Sequence, residues 1–392
     1  MNKIFSLAIL STVVVLAACS PVDAPSNATT ESATGSAETS TLALAEDHFH
    51  PKGKAPSEHT LKIFDDARKT LPFTDRDDFE EWERGFIARR EDLKIMADAG
   101  NVAWDMERYL FLDEPGKINS AHPSLLRMSE LNNNYGLYEV IPGIYQVRGF
   151  DLSNITFVRG KNGWIVFDPL TTLETARASK ELIDKHLEVL PVTAVIYSHS
   201  HIDHYGGVRG LVTEEDVAAG KVEIIVPRDF MDFAVAEAVY AGNAMSRRAF
   251  FQYGTLLPPS PYGHAGQGLG QNVGAGNVGL IAPTRVVEDA VETFEVDGVE
   301  MVFQNTPDTE APSEMNTYIP AMKTLWMAEN LVASVHNIYT LRGAMVRDAL
   351  RWSKYINEAL YAYGQEAEVM IASHHWPRWG NDRVQEVLKA NR

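Results

Sequence analysis

Residues 198–207 read Ser-His-Ser-His-Ile-Asp-His-Tyr-Gly-Gly, and four side chains in this run are good metal ligands. The spacing H-x-H-x-D-H (His199, His201, Asp203, His204) constrains the chain more than any other feature. Val192–Tyr197, immediately before it, is a short apolar run rich in β-branched residues, the pattern of a buried strand. A strand therefore delivers these ligands at its end. Side chains alternate in extended backbone, so His199 and His201 point to the same side. Asp203 and His204 fall where the chain must turn, and Gly206 and Gly207 permit the turn. One pair can then hold one ion and the next pair a second. The competing reading is a polar loop with incidental histidines, and the rest of the chain decides between them.

The N-terminus stands apart from the fold. Lys3 gives a weakly positive start, Ile4 to Ala18 is almost wholly apolar, and Leu16-Ala17-Ala18-Cys19 follows. This reads as a signal peptide over 1–19. It is too short to span a bilayer, which needs roughly 20 apolar residues. The run resembles a bacterial lipoprotein signal, in which the cysteine, here Cys19, is lipidated. Cys19 is the only cysteine, so the folded part has neither disulfides nor thiolate ligands. The expected location is the bacterial periplasm, with the protein held on a membrane, in first place the outer membrane, by its lipid anchor alone. Residues 20–46 are mostly Ser, Thr, Ala, Glu and Pro and read as a flexible linker. His48 and His50 at its end read as solvated. A net charge of −18 argues against nucleic acid as a partner.

About 340 residues remain, enough for one large domain with decorations. Strand-like runs lie at Ile144–Val147, Ile155–Arg159, Trp164–Asp168, Val222–Val226, Val299–Gln304, Thr324–Ala328 and Ala367–Ala372. Gly160–Gly163 suits a hairpin turn between the second and third. Helical spacing covers Thr175–Leu187, Met231–Gln252 and Ala344–Tyr363. Strands and helices alternate in two blocks, which predicts an α/β fold with sheets between helical layers.

Three further strand-like runs end in ligand-type residues: Val299–Gln304 leads to Glu310, Thr324–Ala328 to Glu329, and Ala367–Ala372 to His374 and His375. Loops at strand ends are held by a rigid scaffold, which is where ligands converge.

With these segments in view, the chain resembles the metallo-β-lactamase-fold superfamily, and within it the zinc-dependent alkyl sulfatases. The resemblance is carried by Gly149–Asn154, Gly163–Leu170, Ser198–Gly207, Ala241–Arg248, Thr309–Met315, Met327–Asn330, Tyr339–Ala344 and Ala372–Pro377. It implies an αββα sandwich, with an N-terminal extension over 47–135 packed on a catalytic domain over 136–392. It also implies two Zn²⁺ ions, one held by His199, His201 and Glu310, the other by Asp203, His204 and His374, with Glu329 bridging. Imidazole and carboxylate suit zinc. Asp168 closes a strand where the superfamily keeps a carboxylate, and is expected to accept a ring N–H from a ligand histidine.

The expected function is hydrolysis of alkyl sulfate esters to alcohol and inorganic sulfate. Two such ions supply a water of pKa near 7, with no side-chain base required, and Asp203 orients it. Attack at sulfur expels a poor alkoxide; attack at carbon expels stable sulfate. The residues alone leave both routes open, and the resemblance implies C–O cleavage with inversion. Arg342 is the first candidate for the sulfate head, because guanidinium pairs with oxyanions, with Asn243 and Arg248 second. Arg347 reads as helix-surface charge. Phe250, Phe251, Tyr253, Leu256 and Leu257 are candidates for the alkyl channel.

Two alternatives accompany this reading: a hydrolase of the same fold acting on another ester, an aryl sulfate or a lactam, and a non-catalytic zinc-binding lipoprotein. Longer alkyl sulfatases continue into a helical dimerisation region and a sterol-carrier-like domain. Here Asp382–Arg392 has helical spacing and no stop signal, so the sequence reads as a fragment, a split gene product or a reduced form. Without those regions, a homodimer and the capture of long alkyl chains are weaker expectations.

Overall fold

The computed structural model describes residues 55–114 and 118–392. The expected signal peptide with Cys19, the linker, and His48 and His50 lie outside the described residues.

The described residues form two large sheets. The first contains β1 (Phe86–Ala88), β4 (Gly136–Ile141), β5 (Ile144–Arg148), β6 (Ile155–Arg159), β7 (Trp164–Phe167), β8 (Val192–Ile196), β9 (Glu223–Pro227) and β10 (Arg285–Val287), in that spatial order. A separate hairpin joins β2 (Lys94–Met96) to β3 (Val102–Asp105). The second sheet runs β11 (Val291–Val296), β12 (Val299–Asn305), β13 (Met315–Ile319), β14 (Thr324–Trp326), β15 (Val369–Ile371) and β16 (Arg378–Trp379). Parallel pairing is confined to β7 through β10 and to β14 with β15.

The period-2 alternation of the strands explains the layering. Ile165, Phe167, Ala194, Ile196 and Ile225 face the second sheet and pack on Phe303, Met315, Trp326 and Ile371. The rings of Phe167 and Trp326 lie 4.8 Å apart across this inner core. Trp164, Val166, Val195, Ile224 and Val226 point the other way, into a core shared with Leu182 and Ile183 of the helix Leu173–His186. On the far face of the second sheet, Leu325 and Met370 meet Trp352, Ile356 and Leu360 of the helix Ala349–Ala362, and Val384 and Leu388 of Asn381–Asn391. The order is helix, sheet, sheet, helix. Strands covered on both faces read as continuous apolar runs, as Trp164–Phe167 does.

Residues within the stretch 47–135 enter this frame directly. β1 pairs antiparallel with β4 at the sheet edge, and Trp104 of β3 belongs to the outer core of the first sheet.

Two expected helices are corrected. The stretch Met231–Gln252 is broken into Phe230–Val235, a π-turn over Ala236–Tyr240, and Gly242–Tyr253. The π-turn inserts a residue into the helical register, a device common at functional sites. The helix expected from Ala344 begins at Ala349, because the Asp348 side chain accepts from the backbone N–H groups of Leu350 and Arg351 and caps it there. Ala344–Arg347 are therefore loop.

Candidate metal centre

The expected ligands come from strand ends that open on one edge of the sandwich. His199 and His201 follow β8, Glu310 follows β12, Glu329 follows β14 and His374 follows β15. Backbone in the left-handed region marks these exits: Asp168 (φ 53°) after β7, Ala328 (φ 49°) before Glu329, and His375 (φ 65°) after His374. Such conformations in non-glycine residues cost on the order of 1–3 kcal/mol and persist where packing and hydrogen bonds enforce them.

The structure brings all seven expected ligands together. His199, His201, Glu310 and Glu329 form one group whose ligand atoms lie within 4.8 Å of one another, and Asp203, His204 and His374 form a second. Glu329 stands between them, with Oε2 3.3 Å from His199 Nε2, 3.4 Å from His204 Nε2 and 3.2 Å from His374 Nε2. Glu310 Oε2 lies 2.8 Å from His201 Nδ1 and 3.5 Å from His199 Nε2. Asp203 Oδ2 lies 3.1 Å from His204 Nε2 and 3.6 Å from His374 Nε2.

These atoms fit a metal. The Nε2 atoms of His199, His204 and His374 are buried and make no hydrogen bond, a costly arrangement unless a cation receives their lone pairs. Their outer nitrogens are all held. His204 Nδ1 meets Asp168 Oδ2 at 2.9 Å, His199 Nδ1 meets Ser198 Oγ at 2.9 Å, and His374 Nδ1 donates to the Leu152 carbonyl at 3.1 Å. A carbonyl only accepts, so the His374 proton sits on Nδ1 and its Nε2 lone pair points inward. Asp168 also accepts from the Ser198 backbone N–H, Ser198 Oγ and Ser373 Oγ, which ties two strand ends to one carboxylate.

Charge is compressed around the cluster. Burial pushes Asp203 up, but the facing rings of His204 and His374 outweigh it and hold the carboxyl well below its ordinary range. Glu314 behaves oppositely. Burial and the neighbouring Glu310 and Glu329 charges push it up to about 8, while it accepts from Ala311 N, Thr309 Oγ1 and Glu329 N. Glu314 thereby fixes the backbone of the Glu329 strand exit.

A cavity of about 520 Å³ opens over the cluster. Its walls are largely apolar, with Leu152, Tyr205, Met245, Leu269 and Val273 among them, and Arg342 and Glu237 reach it from opposite segments. Arg342 donates to Glu237 Oε2 at 3.1 Å and lies 3.0 Å from His201 Nε2. Glu237 arrives there on the π-turn.

Several expected positions differ. Asn243 and Arg248 lie on the exposed side of Gly242–Tyr253, whereas Met245, Ser246 and Ala249 face the cavity, so Arg342 alone of the three oxyanion candidates lines it. Of the apolar-channel candidates Tyr253 lines the cavity; Phe250, Phe251, Leu256 and Leu257 are exposed. Arg347 is not helix-surface charge: it is 5 % exposed, pairs with Glu310 Oε1, and donates to the Asn337 carbonyl at 2.7 Å. The late helix start leaves it on a loop folded over Glu310. His336, not singled out in the sequence, sits with Nε2 3.0 Å from Glu329 Oε1.

Residues 148–374 match the family model described as the metallo-beta-lactamase superfamily, and the chain belongs to that superfamily. Within it, the chain is 50% identical over 339 residues to a linear primary-alkylsulfatase of Pseudomonas sp., covering 86% of this chain and 50% of the relative. An alkyl/aryl-sulfatase of Saccharomyces cerevisiae is 47% identical over 333 residues, covering 85% of this chain and 52% of the relative. The solved structure of a stereoselective inverting sec-alkylsulfatase from Pseudomonas sp. superposes with a TM-score of 0.84 at 43% identity, over 87% of this chain and 54% of that one. The chain spans about half the length of the curated relatives it matches.

Proposed function

We propose that the protein hydrolyses alkyl sulfate esters to alcohol and inorganic sulfate, with two Zn²⁺ ions as cofactor. The observation that carries this reading is the Arg342 guanidinium, set into a mostly apolar cavity directly over a two-part cluster of metal-type ligands. The similarity to alkylsulfatases supports the substrate class.

His199, His201 and Glu310 would hold one ion, Asp203, His204 and His374 the other, and Glu329 both. Zinc bound there supplies Lewis acidity and lowers the pKa of water towards 7. His201 Nδ1 faces inward beside Glu310, so a metal held through that atom would leave the ring proton on Nε2. Nε2 would then not accept from Arg342, and Glu237 Oε2 lies 3.6 Å from it. The Arg342 N–H group that faces His201 would be available to the sulfate oxygens, and Leu152, Met245 and Leu269 would enclose the alkyl chain.

A water that has given up one proton to solvent attacks the ester carbon from the face opposite the sulfate, the new C–O bond forms as the ester C–O bond breaks, and sulfate leaves with the bonding pair. Asp203, whose side chain is 14% exposed against 2–3% for Glu310 and Glu329, is placed to orient that water. The leaving group needs positive charge rather than a proton, which Arg342 supplies.

Zinc-loaded protein is expected to release sulfate from medium-chain alkyl sulfates and, in ¹⁸O-water, to place label in the alcohol. Full zinc occupancy with no sulfate release across a chain-length series would overturn the substrate assignment; label in the sulfate would overturn attack at carbon. We place this activity in the bacterial periplasm on a lipid anchor at Cys19, the reading of Leu16–Cys19. Cys19→Ser should shift the protein from the membrane to the soluble fraction, and unchanged partitioning would refute the anchor.

A further inference from the structure

Arg148 ends β5 with a side chain only 1% exposed, yet its Nε and both Nη atoms make no hydrogen bond. Its guanidinium lies 3.6 Å from the ring centroid of Tyr138 and 4.4 Å from that of Trp82. Aromatic faces attract a cation but leave its in-plane N–H donors unused. Trp82 Nε1 is also buried without an acceptor. Among the described residues no carboxylate pairs with Arg148, and burial lowers its pKa only to about 10, so it is a full cation at neutral pH. A buried charge with neither counterion nor acceptor is among the most unfavourable arrangements a fold can hold.

A small cavity adjoins these donors. Arg148, Trp82, Asn132, Leu152, Asn154 and His375 line it, with about 10 Å³ of room for the centre of a water-sized occupant, enough for one. Several other polar groups of the wall are committed. Asn132 Nδ2 and His375 Nε2 both bond the Gly268 carbonyl, and Asn154 Nδ2 bonds the His375 carbonyl. The carboxylate of Asp151, also in the wall, accepts from Leu152 N, Thr171 N and Oγ1, Thr175 Oγ1 and Gly274 N. The N–H donors of Arg148 and Trp82 remain without acceptors.

We propose that Arg148 and Trp82 form a buried site for a single monovalent anion of chloride size. The site backs the segment Gly149–Asn154, which serves the metal centre: the Leu152 carbonyl holds His374 Nδ1, Ser153 Oγ donates to the Asp203 carbonyl at 2.6 Å, and Asn154 N donates to the Ser373 carbonyl at 2.7 Å. An anion that neutralises Arg148 stabilises the loop that positions His374 and Asp203.

The test uses the full chain at fixed ionic strength, with chloride exchanged for gluconate, which is too large for the cavity. The midpoint of thermal unfolding is expected to rise saturably with chloride and with bromide. Crystals grown in bromide are expected to show an anomalous peak within hydrogen-bond reach of the Arg148 guanidinium. Trp82→Phe keeps the ring and removes the N–H, and should move the halide titration to higher concentration. Arg148→Met should abolish the halide response, and if that variant does not accumulate, the wild-type titration and the bromide peak decide. A wild-type melting point independent of halide, an ordered water at Arg148 with no anomalous signal, or an unchanged response in Arg148→Met would each overturn the site.

Discussion

The Asp168 carboxylate and the His204 ring meet at 2.9 Å, both fully buried, with the free nitrogen of the ring turned into the ligand cluster. Asp168 leaves β7 and His204 lies in the short 3-10 turn after β8, so one bond joins two parallel strand exits. Such outer partners raise ligand basicity and fix the tautomer, and losing one typically costs about 10–100-fold in metal affinity. Asp168→Asn, which keeps the shape and removes the charge, should lose metal to a competing chelator at about that ratio while keeping its far-UV circular dichroism. Unchanged metal retention would show that Asp168 serves only to tie Ser198 and Ser373 together.

Arg342 is expected to act on the substrate head and not on the fold. Arg342→Ala should lower kcat/KM for alkyl sulfates by on the order of 10- to 100-fold, the range for a charge-assisted hydrogen bond. Arg342→Lys should recover only part, because an ammonium cannot present two parallel donors. Zinc content, measured by mass spectrometry, should be unchanged in both; a drop in zinc would reassign Arg342 to support of His201.

Arg347 should behave differently. Its removal leaves the buried Glu310 carboxylate without its guanidinium partner, and breaking such a pair costs about 3–5 kcal/mol. Arg347→Met should lower the urea midpoint of metal-free protein substantially and weaken metal retention at the His199–His201–Glu310 half. A wild-type midpoint would mean that this contact is dispensable.

His375 gives a sign for the pH dependence. Burial holds its ring at a pKa of about 3, as Nδ1 accepts from Ala333 N–H and Nε2 donates to the Gly268 carbonyl. The folded protein therefore binds fewer protons than the unfolded chain between pH 3 and 6.5. Stability from this group is complete above about 6.5 and declines as the pH falls, by at most about 1.4 kcal/mol per pH unit. His375→Asn, which tolerates the left-handed backbone, should flatten the acid limb of the stability profile relative to wild type. Identical slopes would assign acid loss to other groups.

The sequence made the sandwich legible where strands are apolar throughout, as at Trp164–Phe167, because burial on both faces leaves an unbroken pattern. It hid β13, in which Asn316 and Thr317 are buried; Asn316 is held there by bonds to Gln304 and Asn330. At the site, His199–His204 could be read because the ligands are contiguous. Glu310, Glu329 and His374 came from strand ends together with a family resemblance. Glu237, Glu314, His336 and Arg347 stayed hidden because their places depend on a π-turn, on a helix that starts only at Ala349, and on loop contacts with no local signature. Asn243 and Arg248 misled because they flank Met245 in sequence, yet Met245 is buried at the cavity and both of them are exposed.

Each sheet supplies part of the ligand set: β8 of the first delivers His199–His204, and β12, β14 and β15 of the second deliver Glu310, Glu329 and His374. Neither half can be completed locally, and the parallel β14–β15 pair that places Glu329 beside His374 closes only after Ala349–Ala362 has crossed between them. Such non-local pairing is slow to form. Tight metal binding is therefore expected at the last stage of folding. A metal would lock a finished sandwich rather than nucleate it, and in a refolding experiment metal uptake is expected to trail the burial of Trp326.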